Sequence, residues 1–389
     1  MTRTIAFYLP QFHPIPENDE WWGVGFTEWT NVSNARPQFI AHNHPRTPAN
    51  LGYYQLPEQG IMERQSELAS ENGVDAFCFY HYWFDGRRLL ERPVDYYRDS
   101  RGNIPFCLAW ANEPWSRRWD GKQHDILMPQ TYGEGWHKQF FEDTLPYFQS
   151  PHYLRHRNKP ILLVHRAYDL PDPNAVTREW RRLAVSSGFE GLYLIAAETR
   201  WGLDPRLLGF DAAAEFPPVG ANSLRSARLR APAGLLPEFR GRLFDYNKLA
   251  DRFACRRESV FVRHRGVAPG WDNTARRGSS ATIYMNSTPE EYQRWLSQAI
   301  AAESAARGED GLVFINAWNE WAEGAYLEPD NSHRDLYLRA TKAAVRESKA
   351  LDGRVLRTNY GHLQGVAKSA AASAVNLLHF IRRIFGSTK

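Results

Sequence analysis

Eight short apolar runs alternate with helical stretches along this chain of 389 residues. Each run is continuously apolar, which is typical of parallel strands that are buried on both faces. Eight strand–helix units predict a single-domain α/β fold, a (β/α)8 TIM barrel with long βα loops, and an open doubly wound sheet is the alternative. No Gly-x-Gly-x-x-Gly follows the first run, which argues against a dinucleotide site. We predict strands over 5–12, 74–84, 104–112, 160–166, 192–199, 210–216, 260–265 and 311–317.

The stretches between these runs carry apolar residues at helical spacing. The clearest begins with Thr288 as an N-cap and Pro289 in the first turn. The segment 13–30 is rich in Pro and aromatic residues, and we predict that it is a long loop. The predicted helices cover 59–72, 93–100, 136–149, 174–187, 246–254, 288–307 and 335–350.

We predict that the barrel domain spans residues 1–350 and that 351–389 form a separate C-terminal tail. In 374–385 apolar residues recur at helical spacing, with Arg382 and Arg383 beside them. That pattern is typical of a basic amphipathic helix on a membrane surface. A helix that caps the barrel, or a frayed tail, is the alternative.

Composition narrows the class of protein. Aromatic residues make up 14% of the chain, with 14 Trp, and such rings line either a core or a ligand site, for example one for sugars. A net charge of +4 is too weak to indicate a nucleic-acid partner. Three scattered cysteines favour a reducing compartment over a disulfide framework. With neither a signal-peptide core nor a long apolar stretch, we expect a cytoplasmic protein, with peripheral contact to the inner face of the membrane through the tail.

Polar and aromatic side chains follow most of the predicted strands. Barrel enzymes carry their catalytic groups at the C-terminal ends of the strands, so these residues predict a sugar-binding site. Ordinary caps and turns are the alternative, and Glu198 and Glu215 end two further strands. The predicted substrate-binding residues are His13, Glu28, Trp29, Tyr80, His81, Trp83, Trp110, Asn112, Glu113, Trp115, Asp272, Asn319 and Trp321.

Glu320 and Glu323 are the candidate catalytic pair. Side chains three apart in a helical turn approach to about 5–6 Å at Cβ, which is near the carboxyl separation of a retaining glycosidase. Proximity pushes the two pKa values apart, so one group can act as acid and the other as base. Capping of the following helix is the alternative. No His-x-x-x-His with a nearby acid occurs, so we predict neither a metal nor another cofactor.

Long motifs also carry a family resemblance. The stretches IAFYLPQFHPIPEND, FCFYHYWFDGRRLLERP, LAWANEPWSRRWDG, PGWDNTARR and INAWNEWAEGAYLEPD closely resemble the WbsX-type family, found in bacterial O-antigen and other polysaccharide gene clusters. The resemblance covers roughly residues 4–350. The WbsX domain is similar to glycoside hydrolase family 99, the endo-α-mannosidases and endo-α-mannanases, which are (β/α)8 barrels.

This resemblance implies roles for the two acids. In family 99 one Glu deprotonates the sugar's own 2-hydroxyl, which gives a 1,2-anhydro sugar, and a second Glu protonates the leaving group and then activates water. The family carries both in an Asn-Glu-Trp-His-Glu-Gly pattern. Residues 319–324 match it except that Ala322 replaces the His. The resemblance therefore implies that Glu320 is the base and Glu323 the acid/base, and the change at 322 bears on specificity for mannose.

The implied function is cleavage or transfer of a glycosyl unit in bacterial O-antigen or cell-surface polysaccharide metabolism, with retention and 2-hydroxyl assistance. The substrate is an oligo- or polysaccharide, free or lipid-linked. One alternative is a nucleotide-sugar-dependent glycosyltransferase, although the sequence lacks an Asp-x-Asp motif and a Gly-rich phosphate loop. The other is a non-catalytic glycan-binding module, against which the retention of both Glu argues.

Overall fold

The computed structural model describes residues 2–350 apart from Gln59, Arg101, 117–124, 224–226 and 228–229. The predicted tail helix at 374–385 lies outside the described residues. The main sheet of the described part has eight parallel strands, which are β1 (Arg3–Tyr8), β2 (Ala76–Phe84), β3 (Phe106–Trp110), β4 (Lys159–Val164), β5 (Tyr193–Glu198), β6 (Ala212–Glu215), β7 (Arg263–Val267) and β8 (Leu312–Ile315).

These strands close into a barrel. Strand β1 pairs in parallel with β2, where Ile5 lies beside Ala76, and also with β8, where Thr4 lies beside Val313. The other strands pair in parallel in chain order from β2 to β8. Because the first strand joins the last, the sheet is closed and is not an open doubly wound one. The predicted (β/α)8 barrel is confirmed.

Helices surround the barrel, and seven of them match predicted segments to within about two residues at each end. The short α1 and α2 lie where we predicted a loop, so that prediction is wrong. Each has seven residues, too few to show a helical repeat in a sequence window. The helices are α1 (Pro16–Trp22), α2 (Glu28–Asn34), α3 (Ile61–Glu71), α4 (Glu91–Ser100), α5 (Trp136–Phe148), α6 (Pro173–Ser186), α7 (Tyr246–Ala254), α8 (Thr274–Arg277), α9 (Pro289–Arg307) and α10 (Leu336–Ala350).

Short strands and turns occur in addition to the barrel strands and helices. The two that matter for the site are Trp271–Asp272, which pairs antiparallel with Thr282–Met285, and the 3-10 turn Trp321–Glu323. The remaining short strands are Arg87–Leu89, Trp115–Ser116, Ile126–Met128, Arg155–His156, Arg242–Asp245, Asn319–Glu320 and Ala325–Tyr326. In the described residues no helix is long and apolar enough to cross a membrane.

The core has two layers because side chains alternate across each strand. Inside the barrel, the ring of Phe7 packs against Tyr80 of β2, Phe314 of β8 and Phe216 directly after β6, with centroids 5.0–5.7 Å apart. Outside it, Trp110 stacks on Phe140 of α5 at 4.2 Å. The barrel and its helices up to Val345 form one compact unit.

Gly266→Ala is expected to destabilise the barrel. A Cβ at position 266 of β7 would lie 2.2 Å from the backbone oxygen of Glu215 on β6, so the two strands would have to separate. Such overpacking costs roughly 1–3 kcal/mol. Urea unfolding of the variant measures the loss relative to the wild type. Equal stability of Gly266→Ala and the wild type would contradict this.

Candidate active site

A cavity of about 280 Å³ opens at the C-terminal ends of the barrel strands. Five Trp and Tyr rings, those of Trp22, Tyr80, Tyr82, Trp115 and Trp271, contribute to its wall. They combine flat apolar faces with polar edges, as sugar sites require. Residues from or just after six different strands also line it, namely Leu9, Ala111, Glu113, His165, Phe216, Arg276, Glu320 and Glu323.

One guanidinium holds three carboxylates at this cavity. Nη2 of Arg276 lies 2.8 Å from Oε1 of Glu28 and 2.9 Å from Oε2 of Glu320, and Nη1 lies 2.6 Å from Oε1 of Glu323. The Glu28 side chain is fully buried, whereas 6% of Glu320 and 21% of Glu323 are exposed. Glu320 and Glu323 therefore face the cavity, and Glu28 supports them from behind.

The turn that carries this pair is fixed from both sides. Asn319 accepts a hydrogen bond from Leu9 N at 2.7 Å and donates to Leu9 O at 3.0 Å, which ties the turn to the end of β1. The next residues form a 3-10 turn, in which residues three apart lie on the same side. Glu320 and Glu323 consequently project together.

A buried carboxylate anchors the two Trp residues of this turn. Glu328 accepts hydrogen bonds from Nε1 of Trp318 at 3.0 Å and Nε1 of Trp321 at 2.6 Å. It also accepts from Gln65 at 2.6 Å and from the Tyr54 hydroxyl at 2.9 Å. Trp321 is 1% exposed, so it supports the turn from the core and does not line the cavity.

Burial dominates the electrostatics of the candidate catalytic pair, Glu320 and Glu323. It raises the pKa of Glu320 to about 8, because Glu323 and Glu28 add to it and Arg276 offsets it only in part. Burial likewise raises the pKa of Glu323, again against the effect of Arg276. The cluster therefore holds a proton at neutral pH, which the two carboxyls share.

Strand alternation separates the residues that we predicted at the end of β2. Tyr80 and Tyr82 line the cavity. His81 and Trp83 point the other way, against α5, where His81 Nε2 lies 3.5 Å from Asp143 Oδ2 and Trp83 packs on Phe140 at 5.3 Å. These two predicted binding residues thus belong to the packing between the barrel and its helices.

Around β3 the predicted residues also divide. Glu113 and Trp115 line the cavity, and Glu113 pairs with Arg166 at 2.7 Å. Asn112 instead joins two strand ends, accepting from Arg166 N at 2.7 Å and donating to Arg166 O at 3.0 Å. Trp110 is fully buried and packs against the outer helices.

His13 and Trp29 lie behind the cavity in the first βα loop. Burial lowers the pKa of His13 to about 4, and its side chain does not line the cavity. Trp29 donates to Tyr54 O at 2.7 Å and packs on Trp321 at 5.3 Å. Glu198 and Glu215, which end β5 and β6, both bind the buried Arg256 and lie outside the cavity as well.

Asp272 lines a second cavity, which also has a volume of about 280 Å³. Its neighbour in the short strand Trp271–Asp272, Trp271, lines the first cavity, so the two cavities lie on opposite sides of this strand. Oδ2 of Asp272 lies 2.8 Å from His42 Nε2, 2.7 Å from His44 Nε2 and 3.2 Å from Arg46 Nη2. Burial alone would raise the pKa of Asp272, but the hydrogen bonds from both histidines outweigh it and hold the pKa well below its usual range.

These two histidines and Asp272 place their ligand atoms within 4.8 Å of one another, as a metal site would. Their hydrogen bonds do not fit one. Gln38 N donates to His42 Nδ1 at 3.0 Å, so Nε2 of the neutral ring carries the proton and donates to Asp272. A metal-binding Nε2 needs the opposite tautomer. The oxygen that a metal would use is also in contact with the cation Arg46.

The family model described as Glycosyltransferase WbsX matches residues 4–341. The chain belongs to the WbsX family. Two Xanthomonas campestris pv. campestris proteins, each described as Uncharacterized protein WxcX, are 45% and 44% identical to it over 344 residues, or 88% of this chain. The match covers 49% of each relative, so this WbsX chain spans about half their length.

Solved structures share the WbsX fold. A GH99 endo-alpha-mannosidase from Bacteroides thetaiotaomicron superposes with a TM-score of 0.54 at 15% identity, over 90% of this chain and 98% of that one. A glycoside hydrolase-like protein superposes with a TM-score of 0.55 at 16% identity, over 88% and 93%. At these identities the likeness shows the fold alone.

Sequence reasoning missed several residues of the WbsX cavity, above all Arg276. Gln11 and Asn18 also line it, and both are at most 2% exposed. Among the residues that the structure describes, Gln11 Nε2 and both amide atoms of Asn18 have no hydrogen-bond partner. Unsatisfied buried amides in a cavity are suited to binding hydroxyl groups of a ligand. The signal for Arg276 was its place in the PGWDNTARR motif, four residues after Asp272.

Ala322, where the family 99 pattern has His, sits inside the WbsX cluster. Its side chain is fully buried, and its N–H donates to Oε1 of Glu28 at 3.2 Å. That oxygen also accepts from Arg276. Glu28 therefore joins the 3-10 turn Trp321–Glu323 to α2 and to Arg276 through a single oxygen.

Proposed function

We propose that this WbsX protein is a carbohydrate-active enzyme that cleaves or transfers a glycosyl unit with retention, assisted by the sugar's 2-hydroxyl, in bacterial cell-surface polysaccharide metabolism. Its substrate is an α-linked oligo- or polysaccharide, and an O-antigen chain, free or lipid-linked, fits that class. The observation that carries the proposal is the pair Glu320 and Glu323, joined by Arg276 at an aromatic-walled cavity.

The charge of the cluster suits glycosyl chemistry. Three carboxylates and one guanidinium sum to −2 when all are ionised, and to −1 when Glu320 keeps its proton. Glycosyl transfer passes through an oxocarbenium-like transition state with positive charge at the anomeric carbon. A buried net negative charge next to that carbon would stabilise the transition state more than the neutral substrate.

In the proposed first step, Glu320 accepts the proton of the 2-hydroxyl. The freed oxygen forms a bond to the anomeric carbon, the glycosidic bond breaks, and Glu323 gives its proton to the departing oxygen. In the second step, water or an acceptor hydroxyl gives its proton to Glu323 and bonds to the anomeric carbon. The bond from that carbon to O2 then breaks, and O2 takes its proton back from Glu320. Two inversions give net retention.

The position of the shared proton bears on this division of roles. The family resemblance assigns the acid role to Glu323, which is also the more exposed group and so has access to a leaving group and water. Burial raises the pKa of both carboxyls in the free protein. Both carboxyls contact Arg276, and two coupled groups titrate as a unit. In the proposed mechanism the proton resides on Glu323 once the sugar occupies the cavity.

We expect kcat/KM to fall above about pH 8. The pKa of Glu320 is raised to about 8 by burial, so the cluster holds its shared proton below that pH and loses it above. Without the proton no group can protonate the leaving oxygen. The measurement is kcat/KM against pH on the glycan that the protein cleaves, with circular dichroism at each pH as the control for folding. Constant activity well above pH 8 would contradict this assignment.

The proposal is tested by incubating the protein with a panel of α-linked oligosaccharides and following product stereochemistry by NMR. Retention at the cleaved centre, and no reaction when that sugar is 2-deoxy or 2-N-acetyl, is expected. Inversion, or equal turnover of the 2-deoxy sugar, would overturn the mechanism. Failure on every glycan would favour a glycan-binding module.

A nucleotide-sugar-dependent glycosyltransferase is the second candidate, because the family model itself is described as a glycosyltransferase. Release of nucleotide from UDP-, GDP- or dTDP-sugars in the presence of an acceptor glycan separates the two. Our proposal expects no nucleotide release. Acceptor-dependent release that is lost in Glu320→Gln would favour the transferase.

A further inference from the structure

Arg276 reaches the three carboxylates from a helix that has only one turn. The helix α8 begins at Thr274, and Asp272 holds that beginning, because its Oδ1 accepts from Thr274 N at 3.0 Å and from Thr274 Oγ1 at 2.5 Å. The other oxygen of Asp272 contacts His42, His44 and Arg46. One carboxylate therefore connects the 38–46 segment to the start of the helix that carries Arg276.

This connection is fully buried at its centre. The Asp272 side chain is 4% exposed, those of the two histidines are 6% and 1%, and that of Arg276 is 10%. Backbone and side-chain contacts at both oxygens leave Asp272 little freedom to rotate. When each side chain in a series of contacts is held by hydrogen bonds, the position of one side chain fixes the position of the next.

We propose that Arg276 is a positioning residue that keeps one carboxyl of the pair Glu320 and Glu323 ionised while the other is protonated. We also propose that Asp272, with its two histidines, positions Arg276 from outside the cavity. The proposal rests on the function proposed above and adds a supporting layer to it. The guanidinium contacts each member of the pair through a different nitrogen. It thereby fixes the distance between the two carboxyls, and its positive charge favours their ionised forms.

The charge of the cluster gives the physical reason. Without Arg276 the three carboxylates would have no cation among the partners described above, and burial would protonate more than one of them. A pair that is fully protonated has an acid but no base. Lysine would restore the charge, but it has one nitrogen and could not hold the two carboxylates on separate nitrogens as the guanidinium fork does.

The test is a carboxyl titration that needs no substrate. Protein labelled with 13C at the Glu side-chain carboxyl is titrated by NMR, with Glu320→Gln and Glu323→Gln used to assign the two signals. In Arg276→Gln we expect both to titrate at higher pH, by about one to three units. Arg276→Lys should shift less. Asp272→Asn should shift them in the same direction, because Arg276 remains but its anchor is weakened. Arg277→Gln, on the same helix and with the same loss of charge, is the matched control.

Unchanged titration in Arg276→Gln, or an equal shift in Arg277→Gln, would overturn the proposal. Should Arg276→Gln fail to fold, Arg276→Lys and Asp272→Asn decide it. A shift in Arg276→Gln alone, with Asp272→Asn at the wild-type value, would overturn the role of Asp272. If the shifts occur but no glycan is turned over, the proposed function fails and the positioning role stands. If the protein turns over a glycan but the carboxyl titration is unshifted in the variants, only the positioning role is overturned.

Discussion

Glu320→Gln and Glu323→Gln are each expected to lower kcat/KM on an unactivated glycoside by roughly 10²–10⁴-fold. Glutamine keeps the shape of the side chain but can neither take the 2-hydroxyl proton nor give one to the leaving oxygen. Both positions face the same cavity and share Arg276, so either change removes one half of the acid/base pair. The measurement is steady-state kinetics on the glycan that the screen identifies.

A substrate whose leaving group needs no proton separates the acid role from the base role. The dinitrophenolate of a dinitrophenyl glycoside departs without protonation. Glu323→Gln should therefore recover most of its first-step rate on that substrate if Glu323 is the acid. Glu320→Gln should not, because the 2-hydroxyl still needs a base. The reverse pattern would exchange the two roles.

Glu134→Gln is the matched control, since Glu134 is exposed in the loop before α5 and away from the cavity. It should behave as the wild type on both substrates. Full activity of either cavity variant on the unactivated glycoside would mean that the pair is misassigned.

Glu328→Ala is expected to lower the free energy of unfolding by roughly 3–5 kcal/mol. The change leaves four buried donors without an acceptor, on Tyr54, Gln65, Trp318 and Trp321. Each unsatisfied buried donor costs about 1–3 kcal/mol, and water entering the space left by the side chain recovers part of it. Urea unfolding followed by circular dichroism gives the difference from the wild type.

Two further variants test the reason for this loss. Glu328→Gln keeps the volume and one acceptor oxygen, so it should cost less than Glu328→Ala. Glu134→Ala removes an exposed carboxylate and should cost less than about 0.5 kcal/mol. If Glu328→Ala unfolds at the same urea concentration as Glu134→Ala, then Glu328 does not hold the turn.

The fold could be predicted because the strands and helices have strong local patterns. The continuous apolar runs predicted all eight barrel strands, but β1 ends at Tyr8 and not at Phe12, and β7 begins at Arg263 and not at Val260. Pro10 cannot donate a ladder hydrogen bond, and the sequence of β7, Arg-His-Arg-Gly-Val, does not look apolar. Arg263 and Arg265 are buried beside Glu215, and His264 lies beside Glu303, which no local pattern reveals.

The candidate site was harder to predict, because position on a strand end does not say which way a side chain points. Tyr80 and His81 are neighbours in sequence, yet only Tyr80 lines the cavity. We predicted that Trp321 binds substrate, but its indole N–H donates to Glu328. Arg276 was overlooked because its three partners lie 44 or more positions away along the chain.

The alternation along β2 has a practical consequence for directed evolution. Positions 80 and 82 contribute to the cavity wall, whereas 81 and 83 pack on α5. A combinatorial library that randomises only the first pair would sample new sugar preferences in variants that still fold. Randomising the second pair would mostly yield insoluble clones. An insertion or deletion of one residue inside this strand would exchange the two sets, so natural diversity in substrate preference should arise here by substitution and not by changes in length.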